Sequence, residues 1–391
     1  MLRLAVKAQL PLIAVTTTDT LNVATVIRHL TGRKPVPYTS AGKLERQLYV
    51  HPCGGEAVKN LETLYETMVA HESTVILVNP KNRDDLVFDV GPLVTPPELL
   101  LEFITTVTSD AAKATTLLPA LGGCTLKDVA EYVRLTMARD HTLGLPGLME
   151  TRKSVFRPQK GLEQVDPHQA YYEPPAELES WAQAEKPFFL TNTDPRLVPR
   201  GLLLDGQPGT GKTEAARYLA NQWGVPLYRL DVGGAKNKYL GESQTNLANA
   251  LARLDQAQPC VALLDEVEKL FSRHTRDNTG TDNDMLANLL WWLAERQTRV
   301  LVVLTTNDRS KLPQELYRPG RIDRLMVFHG LDRAAATGFT KRVLATYGGV
   351  KIHPATQAKM LDNLYRDATT VAQATLAQLA RELVKAALTQ G

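Results

Sequence analysis

The sequence predicts an α/β fold, a mostly parallel sheet flanked by helices, with a small all-helical appendage. Three observations carry this. Short apolar, β-branched runs alternate with stretches of helical spacing, both before residue 145 and after residue 200, and such alternation makes right-handed βαβ crossovers. Between 146 and 199 prolines cluster and periodicity fades, which reads as a linker with an irregular lead into the next domain. From Leu331 onward the strand-like runs stop.

In chain order, residues 10–15 read as a buried strand. Arg3 and Lys7 precede it as in a signal peptide, but the apolar run is short and no small-residue cleavage site follows. Residues 20–30 read as a helix opened by a Thr or Asp cap. Leu61, Leu64 and Met68 mark a helix over 56–70, leading into a buried strand over 74–79, and residues 126–137 are helical again. Residues 1–145 thus form an α/β domain, yet they hold no glycine-rich loop, and Asp84-Asp85 reads as solvated loop rather than a metal pair. In the linker, Tyr171, Tyr172 and Trp181 either touch a ligand or partner, or pack under the sheet that follows; packing is the plainer reading. Residues 200–330 carry strand-like runs over 201–205, 227–231, 260–265 and 299–305. Residues 331–391 carry helices over 334–347, 353–365 and 370–388.

Composition narrows the class. With 43% hydrophobic and 22% charged residues this is an ordinary soluble globular chain, and a net charge of +3 permits nucleic acid as a partner without calling for it. Three cysteines, Cys53, Cys124 and Cys260, stand in no metal-ligand spacing and no pairing pattern, which fits a reducing cytoplasm, that of a cell or of a virus's host. No apolar run approaches the ~18 residues of a membrane span.

The strongest motif is Gly206-Gln207-Pro208-Gly209-Thr210-Gly211-Lys212-Thr213, which follows a strand-like run and opens a helix at Glu214. That context makes it a phosphate loop. Its glycines let backbone N–H groups close around a phosphate, and the helix N-terminus adds favourable partial charge. Lys212 then reaches the β- and γ-phosphates of ATP, and the Thr213 hydroxyl ligates Mg²⁺. The second motif is the apolar run ending in Asp265-Glu266. It places two carboxylates at the carboxyl edge of the sheet beside the loop, Asp265 to position Mg²⁺ and Glu266 to act as general base on water. Glu268 and Lys269 read as ordinary charges on the next helix. The run ending Thr305-Thr306-Asn307 offers an amide able to hold the lytic water, although an Asn at a strand end is also a common turn former.

These motifs, together with Arg318-Pro319-Gly320-Arg321-Ile322-Asp323-Arg324, resemble the AAA ATPases. The resemblance covers the chain from Arg200 onward. It implies a parallel five-stranded sheet with a helical lid, ATP and Mg²⁺ as cofactors, and a homo-oligomeric ring, a hexamer, acting on a macromolecule, most naturally a protein. It implies that Arg318 and Arg321 reach the γ-phosphate held by a neighbouring subunit. Lys238, Tyr239 and Leu240 fall where the family has its pore loop, unless Tyr239 packs in the core, and residues 272–284 fall where it has a second. Gln373-Ala374-Thr375 stands where the family's lid usually has Gly-Ala-Asp, so of the lid residues only Ala374 carries over as a nucleotide contact. A looser resemblance extends to two-module AAA proteins of bacteria, phages and plastids with a degenerate first module, in which residues 125–133 would be the remnant lid helix. A nucleotide-dependent loader of a DNA-processing machine, or an ATP-controlled adaptor, would use the same engine.

Overall fold

Chain contacts divide the protein into two units, Met1–Gly144 and Leu145–Gly391. The computed structural model describes all residues except 40–43, 83, 157–159, 169–170, 192–193, 233–241, 273–279, 319, 349–351 and 391.

In the first unit, helix α1 (Leu2–Lys7) precedes strand β1 (Leu12–Thr16), followed by α2 (Val23–Thr31), β2 (Val36–Pro37), β3 (Leu48–Pro52), α3 (Leu61–Ala70), β4 (Thr74–Val78) and β5 (Phe88–Pro92). Helices α4 (Pro97–Thr108), α5 (Ala111–Leu117) and α6 (Leu126–Asp140) follow. The strands pair in the order β2-β3-β4-β1-β5, every pair parallel. Leu12, Ala14, Val75 and Leu77 meet Leu64 and Met68 of α3 in one core. The alternate residues Ile13 and Ile76 are fully buried too, as expected when helices cover both faces of a parallel sheet. Helix α6 starts on a capping box, in which Thr125 and Asp128 each accept the other's backbone N–H.

In the second unit the interval expected to be irregular carries regular structure: α7 (Leu145–Val155), β6 (Leu162–Val165) and α8 (Ala176–Leu190). Then follow β7 (Gly201–Gly206), α9 (Lys212–Trp223), β8 (Leu227–Leu230), α10 (Glu242–Gln256), β9 (Cys260–Leu264), α11 (Glu268–Ser272), α12 (Gly280–Glu295), β10 (Val300–Thr306) and β11 (Arg324–Phe328). The sheet runs β11-β7-β10-β9-β8-β6. Its first five strands are parallel, while β6 adds an antiparallel edge beside β8. Strand period 2 splits the core in two. Leu203, Val300, Val302 and Leu304 face one layer with Leu247, Leu254 and Leu293, whereas Leu202, Leu204, Leu301 and Val303 face the other with Leu178, Leu219 and Trp223. Trp181 stacks at 5.8 Å on Trp223, so it packs in that second layer.

Helices α13 (Arg333–Ala345), α14 (Pro354–Leu364) and α15 (Gln373–Gln390) form the tail around Phe339, Val343, Leu361, Leu376 and Ala380. Among the described residues no helix is long and apolar enough to cross a membrane.

Candidate functional site

Strands β7, β10 and β9 are adjacent and parallel, so their carboxyl ends share one edge of the sheet. The loop after β7, the acidic pair after β9 and the amide after β10 therefore converge. They line one cleft of about 590 Å³, whose walls include Gly209, Gly211, Lys212, Thr213, Asp265, Glu266 and Asn307. Pro208, Glu214 and Ala374 line it as well.

The loop's shape depends on glycine. Gly206 has φ +152°, and a Cβ there would overlap the Phe328 carbonyl of β11. Gly211 has φ +96°, and a Cβ would stand 2.9 Å from the Tyr172 ring. Gly206, Gln207 and Thr210 do not line the cleft but shape it. The Lys212 ammonium donates to the carbonyls of Gly206 at 2.5 Å and Gln207 at 2.9 Å and to Asn307 Oδ1 at 3.0 Å. The buried Thr210 hydroxyl closes on Gln207 O. Burial holds Lys212 below the usual lysine range, with the Glu268 carboxylate foremost among the charges acting against it.

The Thr213 hydroxyl donates to both Asp265 oxygens, at 3.0 and 3.2 Å, and the Thr305 hydroxyl donates to Oδ1 at 2.5 Å. Thr305 in turn accepts the Glu266 backbone N–H, so β10 fixes the acidic turn. Glu266 takes φ +53° and forms an ion pair with Lys269. That hydrogen bond, more than any other cause, holds its carboxyl below the ordinary range.

Glu268 is a correction to its reading as an ordinary helix charge. It is 7% exposed, and its Oε1 accepts from the backbone N–H of Asn307 at 3.2 Å and from Asn307 Nδ2 at 3.0 Å. Asp and Glu are almost never so buried without partners, and the D-E-x-E spacing is the one signal that marked it.

The far wall is a strap of linker residues, His168, Tyr171 and Tyr172, facing Gln373, Ala377 and Arg381 of α15. The strap is tied to the tail by Tyr171 edge-on to Phe339 at 5.7 Å and by an ion pair of Glu173 with Arg342. The Gln373 amide adds two bonds, accepting the Glu173 N–H and donating to its carbonyl. Ala374 N donates to Gly209 O, docking α15 on the loop. Thus the glutamine that departs from the family pattern ties the lid to the linker. Tyr171 and Tyr172, given the packing reading by sequence, both pack and line the cleft.

Arg318 and Arg321 do not line this cleft. Arg318 is exposed and pairs with Glu315 at 3.6 Å, Arg321 donates to the Glu315 carbonyl, and Arg324 pairs with Glu177 of α8. Lys238, Tyr239 and Leu240 lie outside the described residues, as do 273–279 of the second expected pore loop. Residues 280–284 of that loop open α12 instead.

A family model, the ATPase family associated with various cellular activities (AAA), matches residues 202–329. Residues 202–329 are thus an AAA ATPase domain. Relatives match over stretches of similar length. An AAA domain-containing protein, ycf46, of Trieres chinensis is 40% identical over 129 residues, 33% of this chain and 26% of the relative. The 26S proteasome regulatory subunit 6B homolog of Saccharomyces cerevisiae is 32% identical over 138 residues, 34% and 32% of the two chains. The ATP-dependent zinc metalloprotease FtsH of Mycoplasmoides gallisepticum is 33% identical over 134 residues, 32% and 17%. The chain therefore spans no more than about a third of any of these relatives. In the AAA domain the phosphate loop, the acidic strand end and the strand-tip amide occupy one cleft, an arrangement suited to binding and hydrolysing ATP.

Proposed function

We propose that the chain forms a ring, a hexamer, that couples ATP hydrolysis to remodelling or threading of a macromolecule, most naturally a protein. ATP lies along the cleft. The backbone N–H groups from Gly209 to Thr213 cradle its phosphates, and Lys212 releases its loop carbonyls to reach the γ-phosphate. Thr213 Oγ and the Asp265 carboxylate are hard oxygen donors side by side, and they would hold Mg²⁺, which neutralises charge developing on the phosphates. Glu266 takes the proton of the attacking water and Asn307 orients it. The base and ribose lie against the strap and Ala374.

The observation that carries the ring is the position of Arg318 and Arg321. Both stand outside their own cleft, where a neighbour's γ-phosphate can meet them. An arginine supplied in trans can be worth ~10³-fold or more in rate. Two of the relatives are, by name, a proteasome regulatory subunit and an ATP-dependent metalloprotease, which favours a protein substrate threaded past Tyr239. The first unit, with its own parallel sheet, is a degenerate copy of the AAA module that serves as a structural tier. The assembly works in a reducing cytoplasm.

Mixing subunits tests the shared site. Lys212→Ala and Arg318→Ala proteins are each expected to lose at least about 90% of ATPase, the arginine variant keeping nucleotide affinity. Mixed, they regain activity, because some interfaces pair an intact loop with an intact arginine. A mixture that stays inactive at every ratio, while its subunits co-assemble, rules out hydrolysis in trans.

A further inference from the structure

An Asn side-chain amide is nearly symmetric in shape, and its two ends differ only in donating or accepting. At the tip of β10 that choice matters, because Asn307 stands between the loop lysine and the acidic pair. Its Oδ1 accepts from Lys212 Nζ at 3.0 Å, while its Nδ2 lies 3.0 Å from Glu268 Oε1 and 3.5 Å from Glu266 Oε1. Turned by 180°, the amide would set its oxygen against two carboxylates and its NH₂ against an ammonium. Of the two acids, Glu268 makes the shorter contact, is buried to 7% exposure, and also takes the Asn307 backbone N–H at 3.2 Å. Glu266 is bound instead to the exposed Lys269 and must be free to move if it is to serve as the base.

We propose that Glu268 is a positioning residue: its Oε1 fixes the tip of β10 and the orientation of the Asn307 amide, and through it the placement of the attacking water. This rests on ATP being hydrolysed in the cleft. Glu268 itself touches no reacting atom. Both of its bonds to Asn307 go to the same oxygen, so an uncharged amide oxygen at that point suffices. A negative charge placed one methylene short does not.

The test ranks three substitutions by kcat, KM and nucleotide Kd on the full chain, with thermal melting as the folding control. Glu268→Gln keeps the acceptor and is expected to retain kcat within about threefold. Glu268→Asp keeps the charge but withdraws the acceptor, and is expected to lose kcat by about ten- to a hundredfold with Kd nearly unmoved, the loss of one or two charge-assisted hydrogen bonds. Glu268→Ala falls as far, and in an Asn307→Ala background it costs no further kcat, as expected when one residue acts through the other. If Glu268→Ala fails to fold, the Gln and Asp variants decide. Gln as poor as Asp, Asp as good as wild type, or losses that add to those of Asn307→Ala would each overturn the inference. A wild-type chain that turns over no ATP would sink the underlying reading instead, which separates the two failures.

Discussion

The first unit orders its strands β2-β3-β4-β1-β5, and the parallel strands of the second run β8-β9-β10-β7-β11. Counted among the parallel strands of each unit, both are second, third, fourth, first, fifth. The correspondence reaches the loop after each first strand. In the second unit, the amide at the tip of the fourth strand, Asn307, bonds Lys212, and the N-terminus of α15 docks through Ala374 N on Gly209 O. In the first unit, Asn79 at the tip of its fourth strand bonds Thr17 through both N–H and carbonyl at 2.8 Å. There the N-terminus of α6 docks through Lys127 N on Asp19 at 3.0 Å. What differs is the loop itself. Residues 17–22 contain no glycine, and the seat that an anion would fill holds the chain's own Asp19. Only 4% exposed, Asp19 accepts the Asn22 backbone N–H at 3.1 Å, the Asn22 side-chain amide, and Lys127 N. Helix N-termini attract anions of either origin. Two sheets of the same parallel strand order thus carry different first loops, one with glycines and a lysine, the other with a buried carboxylate.

The largest effect expected from this contrast is on nucleotide stoichiometry. Wild-type chain is expected to bind one ATP per chain by equilibrium dialysis, and Lys212→Ala to weaken that binding about a hundredfold, the scale of lost charge-assisted hydrogen bonds. A second nucleotide, or one that survives Lys212→Ala at full affinity, would place a working site in the first unit and break the comparison.

Next in size is the effect of emptying the built-in seat. Asp19→Ala leaves the Asn22 and Lys127 N–H groups without their acceptor, at about 1–3 kcal/mol for each buried donor that water cannot reach. Backbone amide hydrogen exchange at Lys127 and Asn22 is expected to speed up by about 30- to 100-fold, with the second unit unaffected. Unchanged protection would mean that Asp19 is incidental to the first unit's stability.

How much of this was legible in the sequence follows from how local each feature is. The phosphate loop and Asp265-Glu266 are short motifs on strand ends, so glycine spacing and apolar runs located them. The parallel sheet of the AAA domain followed from runs such as the seven residues of β10, all buried. Strand β6 escaped notice because its four residues are recognisable only by their pairing with β8, more than sixty positions on. Helix α8 was hidden by Pro187 within it. Glu268 looked like any charge in a first helical turn; its hydrogen-bond partner is Asn307, 39 positions away. In the first unit the sequence marked several strands and helices but not the buried carboxylate between them. Without a glycine loop nothing in 17–22 marks the turn, and the role of Asp19 depends on Lys127, 108 positions on.

The smallest effect sharpens the comparison between the two carboxylates beside the two loops. Asp19 is held by N–H groups in a buried seat, so it is fixed. Glu266 is held by the ammonium of Lys269, whose side chain is 65% exposed, so it can be let go. The sign of its pH dependence follows. The Lys269 hydrogen bond lowers the Glu266 pKa, which keeps the base ionised to lower pH than an ordinary glutamate, and kcat/KM reports that ionisation in the free enzyme. In Lys269→Met the carboxyl returns toward the ordinary range, so the acid limb of the kcat/KM profile shifts to higher pH. On the acid side the variant is expected to keep a smaller share of its own plateau than wild type does at the same pH. An acid limb that stays in place would show that Glu266 is already released from Lys269 in the free enzyme, or that another group sets that limb. An acid limb that moves, with the plateau raised as well, would identify Lys269 as the restraint that keeps the base idle until ATP arrives.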